Sequence, residues 1–149
     1  MTAIWVSILG FVFPALDGYH VRPEQLTEGG FADLYMVHFN LAVRPVREYH
    51  FCIIQCKRVS AESSGRTWRD ARAQLLRYLP GLKPKRRRHQ VYGAVAVGRW
   101  VEFYMFRKGV APGGQNRLVR IPGYTRRLHI ARQCHTVTRI LEFIRANHT

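Results

Sequence analysis

At 149 residues with 47% hydrophobic content, the chain can fill the core of one ordinary domain with little left for a second, so a single domain over 1–149 is expected. Its 24 Lys and Arg against 9 Asp and Glu give a net charge of +15, which favours a polyanionic partner, with nucleic acid the commonest. Three cysteines at irregular spacing argue against a disulfide-stapled secreted fold and place the protein inside the cell, nuclear or cytoplasmic.

The first segment, TAIWVSILGFVFPAL, is apolar. However, the first Lys or Arg is Arg22, and Ser7, Gly10 and Pro14 interrupt a run already shorter than the ~20 residues of a membrane span. It reads as a buried helix over 3–13 ended by Pro14, with no membrane association expected. Strands follow at 18–24 and 30–40 around a TEGG turn, and a third at 49–59. The polar SAESSGR loop then leads to a helix at 67–79, with Thr67 as cap, Trp68, Ala71, Leu75, Leu76 and Leu79 at helical spacing, and Pro80–Gly81 as its stop. After the basic KPKRRR loop come strands at 90–97 and 99–107 around Gly98, a Gly- and Pro-containing loop at 109–117, and a helix near 131–146. The order of helix, three strands, helix, two strands and helix defines an α/β domain, a central mixed sheet flanked by helices.

Two strands end or begin in polar groups. Alternation puts Ile53, Gln55 and Lys57 on one face of the third strand and Cys52, Ile54 and Cys56 on the other; in the second, Leu34 and Met36 oppose Asp33, Tyr35 and Val37. Aspartate is depleted in strands and costly to bury alone, so Asp33 needs a partner. Lys57 fits as an ion-pair partner. Alternatively, Asp33 and the Gln55 carbonyl ligate a hard cation with Lys57 beside a phosphate. Glu24, which a turn centred on Glu28 and Gly29 sets opposite Asp33, is either a third ligand or a strand-edge charge. His50, Cys52 and Cys56 are expected on one strand face, and the two cysteines read as buried thiols rather than zinc ligands.

Asp33 followed by Gln55-Cys56-Lys57 on the next strand resembles the PD-(D/E)xK nuclease superfamily, with its restriction-endonuclease-like core. The helix ARAQLLRYL carries Gln74 and Tyr78, similar to the QxxxY pattern of the exonuclease-like branch, and the four-residue spacing puts both on one helical face. VRPEQ and VYGAVAVGRWVEFYMF resemble a group of uncharacterised fungal members, and the likeness covers roughly residues 18–145. The resemblance implies a metal-dependent phosphodiesterase acting on nucleic acid, DNA favoured over RNA. Asp33, Gln55, Lys57, Gln74 and Tyr78 would be catalytic, and Asp33, Gln55 and Glu24 would hold Mg2+ or Mn2+. Gln55 stands where most members have a carboxylate, and the first helix lacks the acidic residue often found there. A non-catalytic nucleic-acid- or protein-binding module that keeps the fold is therefore the alternative, as is a homo-oligomer or a subunit of a larger assembly.

Lys83, Lys85, Arg86, Arg87 and Arg88 form a basic loop suited to DNA-backbone contact or nuclear import. Arg126, Arg127, Arg132, Arg139 and Arg145 near the last helix are expected on its solvent face, opposite the apolar stripe of Val137, Ile140, Leu141 and Ile144.

Overall fold

The computed structural model describes residues 2–27, 30–86, 89–109 and 112–148, with backbone only at 24–27 and 30–32. Its elements run α1 (Thr2–Val12), β1 (Tyr19–Thr27), β2 (Gly30–Asn40), β3 (Arg47–Lys57), α2 (Gly65–Tyr78), β4 (Tyr92–Val97), β5 (Trp100–Arg107), β6 (Arg117–Arg120), β7 (Leu128–His129) and α3 (Cys134–Asn147). The strands form one mixed sheet in the order β1-β2-β3-β4-β5-β6, with β7 also paired to β5. All pairs are antiparallel except β3 with β4, whose parallel register sets Gln55 beside Val95 and Lys57 beside Val97. A parallel neighbour requires a crossover, and α2 supplies it.

Period-two alternation separates two cores. Leu34, Met36, Cys52 and Ile54 face α1 and α3, together with Ala94, Phe103, Trp5 and Ile140. Tyr35, Val37, Ile53, Val95 and Tyr104 face Trp68, Ala71, Leu75 and Tyr78 of α2. Fully burying an aliphatic or aromatic side chain of this kind contributes about 1.5–3 kcal/mol. Pro23 within β1 is tolerated because β1 is an edge strand.

Three expectations change. The sheet has two further short strands, β6 and β7, between the expected loop at 109–117 and the expected last helix, a stretch for which no element is expected. The cap of α2 is Ser64, whose hydroxyl accepts from the Thr67 N–H at 3.2 Å, so the helix starts two residues before Thr67. In α1, Trp5, Leu9 and Val12 are buried, but Ile4, Val6 and Phe11 are exposed, so only one face of that helix is internal. No helix among the described residues is long and apolar enough to cross a membrane.

Two local features fix the site's surroundings. Met36 pairs with Cys52 while Val37 pairs with His50, so Phe51 is an extra residue in β3. The bulge turns His50 away from Cys52: its ring lies 5.0 Å from that of Tyr35, and its Nδ1 accepts from the Lys83 N–H at 3.4 Å. The three residues therefore do not share a face as alternation alone predicts. In β4, Gly93 lets α2 approach closely, since a Cβ there would sit 2.7 Å from Leu75 Cδ2.

Candidate functional site

The site is built where β2 begins and β3 ends. Asp33 Oδ2 accepts the Cys56 backbone N–H at 2.8 Å, so the carboxylate takes over a strand donor beyond the last β2–β3 pair, Leu34 with Ile54. Lys57 does not pair with Asp33. Its Nζ donates to Gln74 Oε1 at 3.0 Å, and among the described residues no Asp33–Lys57 ion pair falls within 4.0 Å. The two residues share an end of the sheet, but each is held by another group.

Gln55 lies between them along β3, 1% exposed, and its Nε2 is buried without a hydrogen-bond partner. An unpaired buried amide end costs roughly 1–3 kcal/mol. Its neighbour Val95 and the next residue across the sheet, Glu102, continue the same row on the α2 side. Tyr78, one turn beyond Gln74, is buried in the apolar cluster with Tyr35 and Ile53. Of the QxxxY pair, Gln74 meets Lys57, while Tyr78 packs in the core.

The side chain of Glu24 lies outside the described residues, as do residues 28 and 29 of the expected turn. The backbone register sets Pro23 opposite Leu34 and Gln25 opposite Ala32, which brackets position 24 against Asp33 as expected. No group of three or more His, Cys, Asp or Glu side chains able to hold a metal occurs among the described residues. Asp33 and Gln55 nevertheless offer oxygen donors suited to a hard cation, and such a cation commonly takes one or two carboxylates together with water and substrate phosphate. The unpartnered end of Gln55 is its Nε2, an N–H donor, so a cation would be met by Oε1 alone.

Cys52 is buried as expected, whereas Cys56 is half-buried; burial pushes Cys52 up to about 12, and burial together with the Asp33 carboxylate does the same for Cys56. The basic loop sits elsewhere. Lys83 O accepts the His50 N–H at 2.8 Å, and Lys85 borders a cleft with His38, Asn40 and Tyr49, at the opposite end of β2 and β3 from Asp33 and Lys57. Seven residues of strand separate His50 from Lys57, about 23 Å. Lys83, Lys85 and Arg86 are exposed, whereas Arg87 and Arg88 lie outside the described residues.

Sequence reasoning missed Glu102. This residue is 1% exposed, and its carboxylate receives Arg72 at 3.1 Å, Arg120 at 3.2 Å, Arg127 at 2.8 Å and the Tyr104 hydroxyl. Burial pushes its pKa up, but the Tyr104 and Arg127 hydrogen bonds and the nearby Arg120 charge outweigh burial and hold it below the usual carboxylate value. Its signal was an acidic residue inside the apolar run VEFYMF of a chain short of acids. Arg126, Arg127, Arg132 and Arg139 are exposed as expected and Arg145 is half-exposed; two of them are also engaged, Arg127 3.6 Å over the Trp68 ring and Arg145 with Asp17 at 2.6 Å.

Comparison with protein-family models, with curated proteins and with solved structures finds no match.

Proposed function

We propose that the chain is a metal-dependent nuclease of the PD-(D/E)xK type, cleaving phosphodiester bonds of nucleic acid, with DNA as its favoured substrate. The observation that carries this reading is the meeting of Asp33, Gln55 and Lys57 at one end of the sheet, with Gln74 of the following helix holding the Lys57 ammonium. The parallel β3–β4 pair bridged by α2 supports a restriction-endonuclease-like core. The net charge of +15 supports a polyanionic substrate.

In this reading Asp33 and Gln55, with Glu24 from the edge strand, hold Mg2+ or Mn2+. A bound divalent ion supplies a lowered pKa to a water ligand and neutralises charge on the phosphate. Lys57 is aimed by Gln74 and donates to the phosphate oxygens on which charge develops. The Cys56 N–H fixes one oxygen of Asp33 and thereby its orientation. Tyr78 supports α2 from the core.

A second reading, a nucleic-acid- or protein-binding module with a degenerate site, is favoured by the neutral Gln55 where the family usually has a carboxylate. A cleavage assay on single- and double-stranded DNA and RNA, with Mg2+, Mn2+ or chelator, separates the two. The nuclease reading expects metal-dependent cleavage lost in Asp33→Ala. Absence of cleavage on every substrate, or cleavage unchanged in Asp33→Ala, overturns it.

A further inference from the structure

The flank of α2 opposite the candidate site carries a second polar centre. Residues two apart on a helix do not face the same way, and Arg72 accordingly reaches Glu102 of β5 while Gln74 reaches Lys57 of β3. Glu102 Oε2 accepts from Arg72 Nη1 and from the Tyr104 hydroxyl. Its Oε1 accepts from Arg127 Nε at 3.0 Å and Nη2 at 2.8 Å, and lies 3.2 Å from Arg120 Nη2. Both oxygens are fully taken. Each guanidinium nevertheless carries more N–H donors than this shared carboxylate can receive.

Charge and donors are therefore in excess. Three guanidiniums against one carboxylate leave two positive charges unmatched, and one guanidinium would have sufficed to neutralise Glu102. Arg120 Nη1 is buried and has no acceptor. The side chains of Arg72, Arg120 and Arg127 stay 32%, 29% and 39% exposed, so the cluster is open to an incoming anion. Its guanidinium groups are already oriented: Arg127 lies over Trp68, and Arg120 lies 4.7 Å over Tyr104. Glu62, the other carboxylate bordering Arg127, is already engaged by the N–H and Nε of Arg99.

We infer that Arg72, Arg120 and Arg127, gathered by Glu102, form a phosphate-binding site in which the solvent-facing N–H groups of the three guanidiniums donate to a phosphate group of a nucleic-acid strand. A phosphate matches the site in geometry, because guanidinium forks bind its oxygens in pairs; a terminal phosphate also matches both unmatched charges, whereas an internal phosphodiester neutralises one of them. The phosphate site rests on the cluster alone. Its assignment to a nucleic-acid strand rests on the function proposed above.

Thermal melting and calorimetric titration of the full chain with inorganic phosphate test the site, and 5′-phosphorylated against 5′-hydroxyl oligonucleotides test whether a terminal or an internal phosphate is held. Expected are a phosphate-dependent rise in Tm and an affinity loss of about tenfold or more in Arg120→Gln. Arg120→Lys should lose less, because it keeps the charge without the fork, and Asp33→Asn should bind phosphate as the parent does. A preference for the 5′-phosphorylated strand assigns a terminal phosphate; equal affinity that still depends on Arg120 assigns an internal one. No phosphate effect on the parent, or equal binding by the parent and Arg120→Gln, overturns the inference. Phosphate binding without metal-dependent cleavage of any substrate sinks the nuclease reading and leaves this one standing.

Discussion

Lys57 Nζ is held by Gln74 Oε1 at 3.0 Å, joining the end of β3 to the middle of α2. In the proposed nuclease this bond aims the ammonium. Lys57→Ala should abolish cleavage while leaving Mn2+ titration roughly unchanged, because the ammonium acts on phosphate and not on the cation. Gln74→Ala should lower kcat less severely, with Lys57 still present but unaimed. Loss of Mn2+ binding in Lys57→Ala contradicts this division of labour.

Gln55 is 1% exposed, so adding a charge there has a cost that its similar size conceals. Gln55→Glu should lower Tm in chelator, as expected for a buried carboxylate. Mn2+ should then raise Tm more than it does in the parent and tighten in calorimetry, since the added charge faces the cation. A variant that Mn2+ does not stabilise speaks against Gln55 as a ligand.

Removing the carboxylate that gathers three arginines should be expensive. Glu102→Gln is expected to cost about 1–3 kcal/mol in urea unfolding, because three partly exposed guanidiniums lose the charged acceptor they share. The pH dependence has a definite sign. The folded pKa of Glu102 lies below its ordinary value, so this stabilisation is present above the unfolded carboxylate pKa and is lost as pH falls through the folded one. Stability curves from pH 6 to pH 2 should be steeper in the parent than in Glu102→Gln.

His148 gives a second pH window. It is buried against Phe51, with ring centroids 4.1 Å apart, and its Nε2 shares a 2.8 Å hydrogen bond with the Tyr19 hydroxyl. Burial, then the nearby His38 charge, pushes its pKa down to about 4 from an ordinary 6.5, with His89 and Lys85 acting the same way. Stability should be complete above about pH 6.5 and fall towards pH 4, by at most about 1.4 kcal/mol per pH unit from this group. His38, also lowered by burial, adds to the same trend. His148→Phe should flatten the slope, whereas an unchanged slope would assign it elsewhere.

The basic loop makes a salt-sensitive prediction. Affinity for duplex DNA should fall with a log-log slope of about −0.9 per phosphate neutralised. Replacing Lys83, Lys85, Arg86, Arg87 and Arg88 by Ala should weaken binding to all sequences alike and flatten that slope. Because Lys83 sits beside His50, far along β3 from Lys57, cleavage at saturating substrate should change little.

Much of this was legible because alternation is a strong signal: Ile53, Gln55 and Lys57 share the α2 side, and Leu34 and Met36 the opposite side. What failed was either short or non-local. Arg117–Arg120 and Leu128–His129 are too brief to show a period. The Phe51 bulge, invisible in composition, reversed His50. Asp33 found its partner in a backbone N–H, a group that carries no sequence signature. Glu102 drew Arg72, Arg120 and Arg127 from three separate segments, so no local pattern joins them.

Gly93 sets the height at which α2 rides above the sheet. A larger residue would meet the Leu75 side chain and force it aside or α2 away from the sheet, and a shift of the helix would carry Gln74 from Lys57 and Arg72 from Glu102 together. One missing side chain in β4 thus couples two polar centres that share no atom.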